Sequence, residues 1–274
     1  MFIGIDLGGT NIRVATVEDG KIVRLLSEPS LSQGTEEAVL EQMSRLIESV
    51  LTPEVKGIGI GVPSVVDREK GIVYHVVGIP SWEEVHLKNF LEGRFHLPVA
   101  INNDCNCFAL GVARYGSLRR AKETVCVTLG TGVGSSLVVD GQLYNGHNTG
   151  AGEIGSIPYL DKDYEYYCSS RFFTGKGTSG KDAAANGPSP LWEEFGTHVG
   201  KLVQLILYAF DPEAIVIGGS IAKAFPLFAD AMWKEVRRFP YPQSVENLKI
   251  APADGENAGI LGAALLLNTM VAPL

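Results

Sequence analysis

The order of strand, glycine break and strand that opens this chain recurs in its second half, and that repeat limits the possible folds more than any other feature. Residues 2–7 are apolar, Gly8-Gly9 interrupts them, residues 11–18 alternate, and Asp19-Gly20 gives a two-residue hairpin signal before residues 21–26. A helical stretch over 35–51 follows, with Val39, Met43, Leu46, Ile47 and Val50 at helical spacing and Pro53 ending it. Residues 56–62 then read as a short strand closed by Pro63. The second half replays this order: an apolar run over 125–129, the break Gly130-Thr131-Gly132, a strand over 135–139, the turn Asp140-Gly141, and a strand over 142–144. A helix over 191–210 and a strand over 214–217, ending in Gly218-Gly219, complete it. The prediction is a duplicated α/β unit facing itself across a cleft, with a period far longer than that of a solenoid repeat.

Between the halves, residues 82–95 read as a helix, 99–102 as a strand, and 104–115 as a helix crossing between domains. Residues 257–267 form a last helix rich in glycine and alanine, suited to close packing. The expected domains are 1–115 and 116–254, with the helix of 255–274 packing back on the first.

Bulk properties remove several function classes. In 274 residues, 45% are hydrophobic and 20% charged, as in folded proteins generally. A net charge of −8 and no basic run longer than Arg119-Arg120 followed by Lys122 argue against a nucleic-acid partner. The N-terminus lacks the basic leader of a signal peptide, and the apolar stretch near 260–267 is shorter than the roughly 20 residues that span a bilayer. Four cysteines are too few for a disulfide scaffold, so the expectation is a reduced, cytoplasmic protein without a membrane partner.

Three glycine turns end apolar strands: Gly8-Gly9-Thr10, Gly130-Thr131-Gly132 and Gly218-Gly219-Ser220. Such turns let backbone N–H groups approach a phosphate, although each alone also serves as a plain hairpin. Asp6 beside the first turn could hold Mg²⁺ through water. The segment Gly175-Lys176-Gly177-Thr178-Ser179-Gly180 imitates a dinucleotide or P-loop signature, but Asp182 stands where a hydroxyl should meet the metal and no βαβ context surrounds it, so it reads as a loop. Residues 99–101 deliver Asn102, Asn103 and Asp104 to a strand end, where ligands of open α/β sheets bind. There Asp104 is either a helix cap or a base that takes a proton from an attacking hydroxyl; both hold if Asn103 caps and Asp104 faces the cleft. Glu153, between Gly152 and Ile154-Gly155, is either a solvated loop acid or an acceptor for sugar hydroxyls.

Together these motifs resemble the ROK family of sugar kinases and repressors. The residues that carry the likeness are Asp-Leu-Gly-Gly-Thr-Asn at 6–11, Gly-Val-Pro-Ser-Val-Val-Asp at 61–67, Asn-Asn-Asp at 102–104, Leu-Gly-Thr-Gly-Val-Gly at 129–134 and Gly-Ala-Gly-Glu-Ile-Gly at 150–155. Ile-Gly-Gly at 217–219 and Ala-Gly-Ile-Leu-Gly-Ala-Ala at 258–264 extend it. The resemblance implies duplicated actin-like (ribonuclease H-like) α/β domains, MgATP, a hexose-like substrate and a homodimer. It implies Asp104 as base, Asn103 and Glu153 at the sugar, Gly8, Gly9, Thr10, Gly130, Thr131 and Gly132 at phosphates, and Gly218, Gly219 and Ser220 by the adenosine.

The chain departs from the family at several of these places. Ser156 stands where the family has His, and Ser170 where it has the Glu that ends the zinc motif, which shrinks to Cys168-Ser169-Ser170. With about four ligands needed, no zinc is expected. Ser156, Ser170 and Ser81, the last replacing a usual Gly, are expected to alter the sugar pocket. The alternative is a sugar-binding regulator of the same fold, which would need an N-terminal helix-turn-helix; a first strand starting at Phe2 leaves no room for one.

Overall fold

The computed structural model describes residues 1–255 and 257–269. Two compact units emerge. The first comprises Met1–Arg119, Gln142–Ala151 and the described residues from Asp254 on, the second Arg120–Gly141 and Gly152–Ala253.

In the first unit, β1 (Phe2–Leu7), β2 (Asn11–Glu18) and β3 (Lys21–Pro29) form an antiparallel meander. Asp19 and Gly20, at φ 49° and 77°, take the left-handed backbone that a two-residue hairpin requires. α1 (Glu36–Val50) starts at Thr35, whose hydroxyl accepts the Ala38 N–H, and buries Val39, Met43, Leu46, Ile47 and Val50 in the same core as Ile3, Ile5 and Leu7. β4 (Ile58–Val62) runs parallel to β1, and β5 (Val65–Asp67), β6 (Ile72–Tyr74) and β7 (Glu84–Val85) make a small separate sheet. α2 (Leu87–Phe95) leads to β8 (Val99–Asn103), parallel to β4, and to α3 (Asp104–Tyr115). The strand order is β3-β2-β1-β4-β8.

The other sheet repeats this arrangement. β9 (Thr124–Leu129), β10 (Val133–Val139) and β11 (Gln142–Tyr144) form the meander, and Asp140-Gly141 repeats the left-handed turn at φ 52° and 74°. A hairpin of β12 (Pro158–Tyr159) and β13 (Lys162–Asp163) precedes the short helices α4 (Tyr164–Cys168), α5 (Ser170–Gly175) and α6 (Gly180–Ala185). α7 (Pro190–Phe210) follows, then β14 (Ala214–Gly218), α8 (Phe225–Val236), α9 (Pro242–Glu246) and β15 (Lys249–Pro252). The order is β11-β10-β9-β14-β15, with β14 parallel to β9 and β15 parallel to β14. Phe172, Phe173, Trp192, Phe195 and Phe228 are fully buried in the second core, and each contributes roughly 2–3 kcal/mol by leaving water.

α10 (Ala258–Thr269) returns to the first unit and packs on α3, β1 and β4. Its contact with α3 is backbone against backbone: a Cβ at Gly111 would overlap the Ala258 carbonyl oxygen, and one at Gly262 the Cys107 carbonyl oxygen. Of the stretch 255–274 assigned above to the last helix, residues 256 and 270–274 lie outside the described residues.

Three local expectations change. The helix expected over 82–95 begins only at Leu87, because the His75 N–H bonds to the Glu83 carbonyl and the Val76 N–H to that of Trp82, which holds 82–85 extended beside β6. The predicted crossing helix, α3, lies wholly within the first unit. The imitation phosphate loop is largely helical at its ends: α5 stops at Gly175, α6 starts at Gly180, and Ser179 caps α6 by accepting the Asp182 N–H. Among the described residues no helix is long and apolar enough to cross a membrane.

Candidate active site

β8 ends in three polar residues, and its geometry assigns each a place. Asn103 is the N-cap of α3, with its Oδ1 accepting the N–H groups of Cys105 (2.9 Å) and Asn106 (3.3 Å). Its Nδ2 donates to the Ser64 carbonyl at 3.3 Å. Behind it lies an asparagine network: Asn102 Oδ1 accepts from the Asn103 N–H (2.8 Å) and from Asn106 Nδ2 (2.9 Å), while Asn102 Nδ2 donates to Asn145 Oδ1 (3.0 Å). Asn102 and Asn106 are buried, so this network fixes the strand-to-helix corner.

Asp104 therefore need not serve as the cap. One carboxylate oxygen, Oδ1, accepts the Cys105 N–H at 2.8 Å, and the Cys105 side chain hydrogen-bonds to the same carboxyl. Burial, and then the charge of Asp6, push its pKa up from an ordinary 3.8 to about 6. Asp6, near the end of β1, is raised too, by burial that outweighs the nearby Arg13 guanidinium. Arg13 stands opposite Asp6 across the hairpin, 3.7 Å away, and its Nη2 donates to Asn257 Oδ1. Burial, and then the charges of Asp104 and Asp6, push the Cys107 thiol well up, so it is no nucleophile.

At the first glycine turn, the Gly8 N–H is taken by the Asn11 carbonyl (2.9 Å) and the Thr10 carbonyl by the Ser30 N–H (2.9 Å). The Gly9 and Thr10 N–H groups make no hydrogen bond within the chain among the described residues. Gly9 lies against Gly78, which brings up the segment carrying Ser81. The Ser81 hydroxyl is buried without a partner, as is Trp82 Nε1. A buried hydroxyl without a partner is costly unless a ligand or water satisfies it.

The second unit collects the other expected residues. The Gly130 N–H bonds to the Gly132 carbonyl at 3.0 Å, leaving those of Thr131 and Gly132 without a bond among the described residues. The Gly130 carbonyl accepts the Ser170 N–H at 2.8 Å, which seats α5 beside this turn. The hydroxyl of Ser220 also lies near Gly130, and Gly219, at φ 84°, packs so closely on Leu129 that a Cβ would overlap its carbonyl oxygen. Gly130–Gly132, Ser170 and Gly218–Ser220 thus form one neighbourhood. Glu153 and Ser156 lie exposed around a 3₁₀ turn (Ile154–Ser156) that packs on β10, where the Ser135 hydroxyl donates to the Gly152 carbonyl.

Several residues of these neighbourhoods were not anticipated. Arg13 was findable by counting antiparallel register outward from the Gly8–Thr10 turn. Ser64 falls inside the 61–67 motif, whereas Asn145 and Gly78 carry no local signal. Glu165, which accepts the Val133 N–H (3.3 Å) and pairs with Arg171 (3.0 Å), abuts Gly132 and was equally hidden. Among the described residues no group of three or more His, Cys, Asp or Glu could hold a metal ion, and Cys168 is fully buried with its thiol pushed far up by desolvation.

The ROK family profile matches residues 2–270. A glucokinase from Thermotoga maritima is 29% identical over 309 aligned residues, covering 98% of each chain. A xylose repressor from Bacillus subtilis is 25% identical over 97% of this chain and 76% of its own length. A ROK family glucokinase from Streptomyces griseus, solved in complex with glucose and AMPPNP, superimposes with a TM-score of 0.82 at 26% identity, covering 96% of this chain and 97% of the other.

Proposed function

This chain belongs to the ROK family, with its duplicated actin-like α/β units, and from that premise we propose that it is a kinase moving the terminal phosphoryl group of MgATP to a hydroxyl of a hexose-like sugar. The observation that carries this reading is Asp104: a carboxylate at a strand end, anchored by the Cys105 N–H, with a pKa pushed up to about 6. A base working near neutrality needs such a value.

In the proposed reaction the sugar hydroxyl gives its proton to the Asp104 carboxylate while its oxygen attacks the terminal phosphorus. The bond from phosphorus to the bridging oxygen of ADP breaks, and Asp104 later returns the proton to water. Positioning and charge neutralisation supply the rest of the rate. Asn103, Glu153, Ser81, Ser156 and Ser170 are assigned to the sugar. The unpartnered Ser81 hydroxyl supports its place among them. The free N–H groups of Gly9, Thr10, Thr131 and Gly132, with Gly8 and Gly130 shaping their turns, are assigned to the phosphates. Gly218, Gly219 and Ser220 are assigned to the nucleoside side.

Asp6 fits a magnesium ion: it is a hard oxygen donor, about one-third exposed, next to a second acid whose charge a cation would relieve. When bound, the ion neutralises phosphate charge. Arg13 keeps the Asp6 carboxylate oriented.

A coupled ADP-release assay with MgATP over a panel of hexoses, amino sugars and disaccharides tests the reading. Turnover with one sugar class supports it. Sugar binding by calorimetry without turnover of any sugar would make the chain a sugar-binding protein instead. A homodimer is also expected, and light scattering at twice the 29.4 kDa chain mass would establish it.

A further inference from the structure

The turn that carries Glu153 and Ser156 is too short to hold its own position. It spans Ile154–Ser156 and has three short-range backbone bonds, Ile154 N–H to the Gly152 carbonyl at 2.6 Å, and Ser156 N–H to that of Glu153 and Ile157 N–H to that of Ile154, both at 3.3 Å. On its N-terminal side it is tied to β10 through Ser135 and Gly152. On its C-terminal side it runs straight into the β12–β13 hairpin, where the Tyr164 N–H closes on the Ile157 carbonyl at 3.2 Å.

Tyr159 ties that hairpin to α7, while Asp161, accepting the Tyr167 hydroxyl, and Asp163, accepting the Tyr166 N–H, tie it to α4. The Tyr159 ring stacks on Tyr164 with centroids 4.3 Å apart and planes 11° apart, and Tyr167 meets it edge-on. Its hydroxyl lies 3.1 Å from Nδ1 of His198. His198 belongs to the 21-residue helix α7, on the buried face that also carries Phe195, Val199 and Leu202. A polar ring on such a face needs a partner at each nitrogen. Nε2 faces Glu194, 3.9 Å away, whose carboxylate is held by Lys176 at 2.8 Å. With the Nε2 proton directed there, Nδ1 accepts from the Tyr159 hydroxyl.

The structure assigns a role to this pair that rests on the kinase reading above: we propose that Tyr159 and His198 are positioning residues, which register the Glu153–Ser156 turn against α7 and so set the affinity for the sugar. Phe172 and Tyr167 complete the cage around the imidazole, at 5.7 and 4.6 Å between ring centroids. α7 is the fixed reference, because its other buried residues lie in the second core. The turn is the movable element, because its functional side chains are exposed and its own bonds are few.

Tyr159→Phe tests this directly, since it keeps the stacked ring and removes the hydroxyl. His198→Leu removes the acceptor, whereas His198→Asn restores one near the Nδ1 position. The first two variants are expected to raise the sugar KM about three- to tenfold, the effect of one lost hydrogen bond, with the ATP KM unchanged within about twofold. Amide hydrogen exchange over residues 153–157 should become about tenfold faster while residues 124–139 keep the wild-type rate. His198→Asn should stay close to wild type in both readings. Unchanged exchange at 153–157, equal acceleration in both segments, or a parallel rise of both KM values would overturn the proposal. Should the wild type turn over no sugar, the kinase reading falls, and the exchange rates alone decide whether this pair positions the turn.

Discussion

Asp104→Asn separates the chemistry of this site from its stability, because the two should move in opposite directions. Asparagine keeps an Oδ1 that can accept the Cys105 N–H and has nearly the same shape, so the corner between β8 and α3 should survive. What disappears is the carboxylate that takes the proton, and removing a general base costs about 10²–10⁴-fold in kcat. Stability should rise. Folding shifts the Asp104 pKa from 3.8 to about 6, so holding the ionised carboxylate in the fold costs about 2–3 kcal/mol above that pH. A raised carboxylate destabilises when ionised, and that penalty fades as pH falls from about 6 towards 4, where both states are protonated. Without magnesium, the variant should melt several degrees above wild type at pH 7.5, and the gap should close by about pH 4. Thermal melts across pH, run beside the coupled assay, give both numbers. Loss of less than tenfold in kcat would refute the base assignment. An unchanged or lower melting temperature at pH 7.5 would refute the electrostatic argument.

The same acid pair sets the pH profile: kcat/KM should fall about tenfold per unit below about pH 6 as Asp104 is protonated. Asp6→Asn should move that acid limb to lower pH, since the Asp6 charge is the second cause of the shift; pH–rate profiles of both proteins check it. Gly219→Ala should destabilise by about 1–3 kcal/mol, because residue 219 holds φ 84° against the Leu129 carbonyl. It should also raise the ATP KM and leave the sugar KM unchanged, which melting and steady-state kinetics would show. Gly262→Ala should destabilise by more than about 1 kcal/mol by forcing α10 off α3, read by the same melts with kcat normalised to folded protein.

The duplication was legible because its signals are local. Asp19-Gly20 and Asp140-Gly141 need no tertiary information to be turns, and both are. The apolar faces of α1 and α7 are likewise written in their spacing. The helix expected at Trp82 failed for the opposite reason. Its apolar residues fit helical spacing, but Val85 pairs with Val73 across β6, a partner no window around Trp82 contains. The site divided in the same way. Asp104, Asn103 and the glycine turns sit at strand ends and could be named from sequence. Asn145, which supports Asn102 from 43 positions away, and Asn257, which receives Arg13 from 244 positions away, arrive only through the fold.

The two copies have also diverged where it matters for charge. The register places Asp6 opposite Arg13 beside the first turn, and the matching positions beside the second turn are Thr128 and Gly134. Both Asp6 and Thr128 pair on their other side with a glycine, Gly61 in one sheet and Gly218 in the other, so the backbone setting is the same. What differs is the pair of side chains, charged Asp6 and Arg13 against uncharged Thr128 and Gly134. A carboxylate about 6 Å from a phosphate oxygen repels it by about 3 kcal/mol at an effective dielectric of 20. A bare polyphosphate is therefore better received at the second turn, where the acid that abuts Gly132, Glu165, is already matched by Arg171 and the Val133 N–H. At the first turn Arg13, 3.7 Å from Asp6, offsets part of that repulsion, and a metal cation would offset the rest. In the proposed kinase this makes the second copy the nucleotide side and the first copy the side of metal and base, a division that follows from two differences at equivalent strand ends, Asp6 against Thr128 and Arg13 against Gly134.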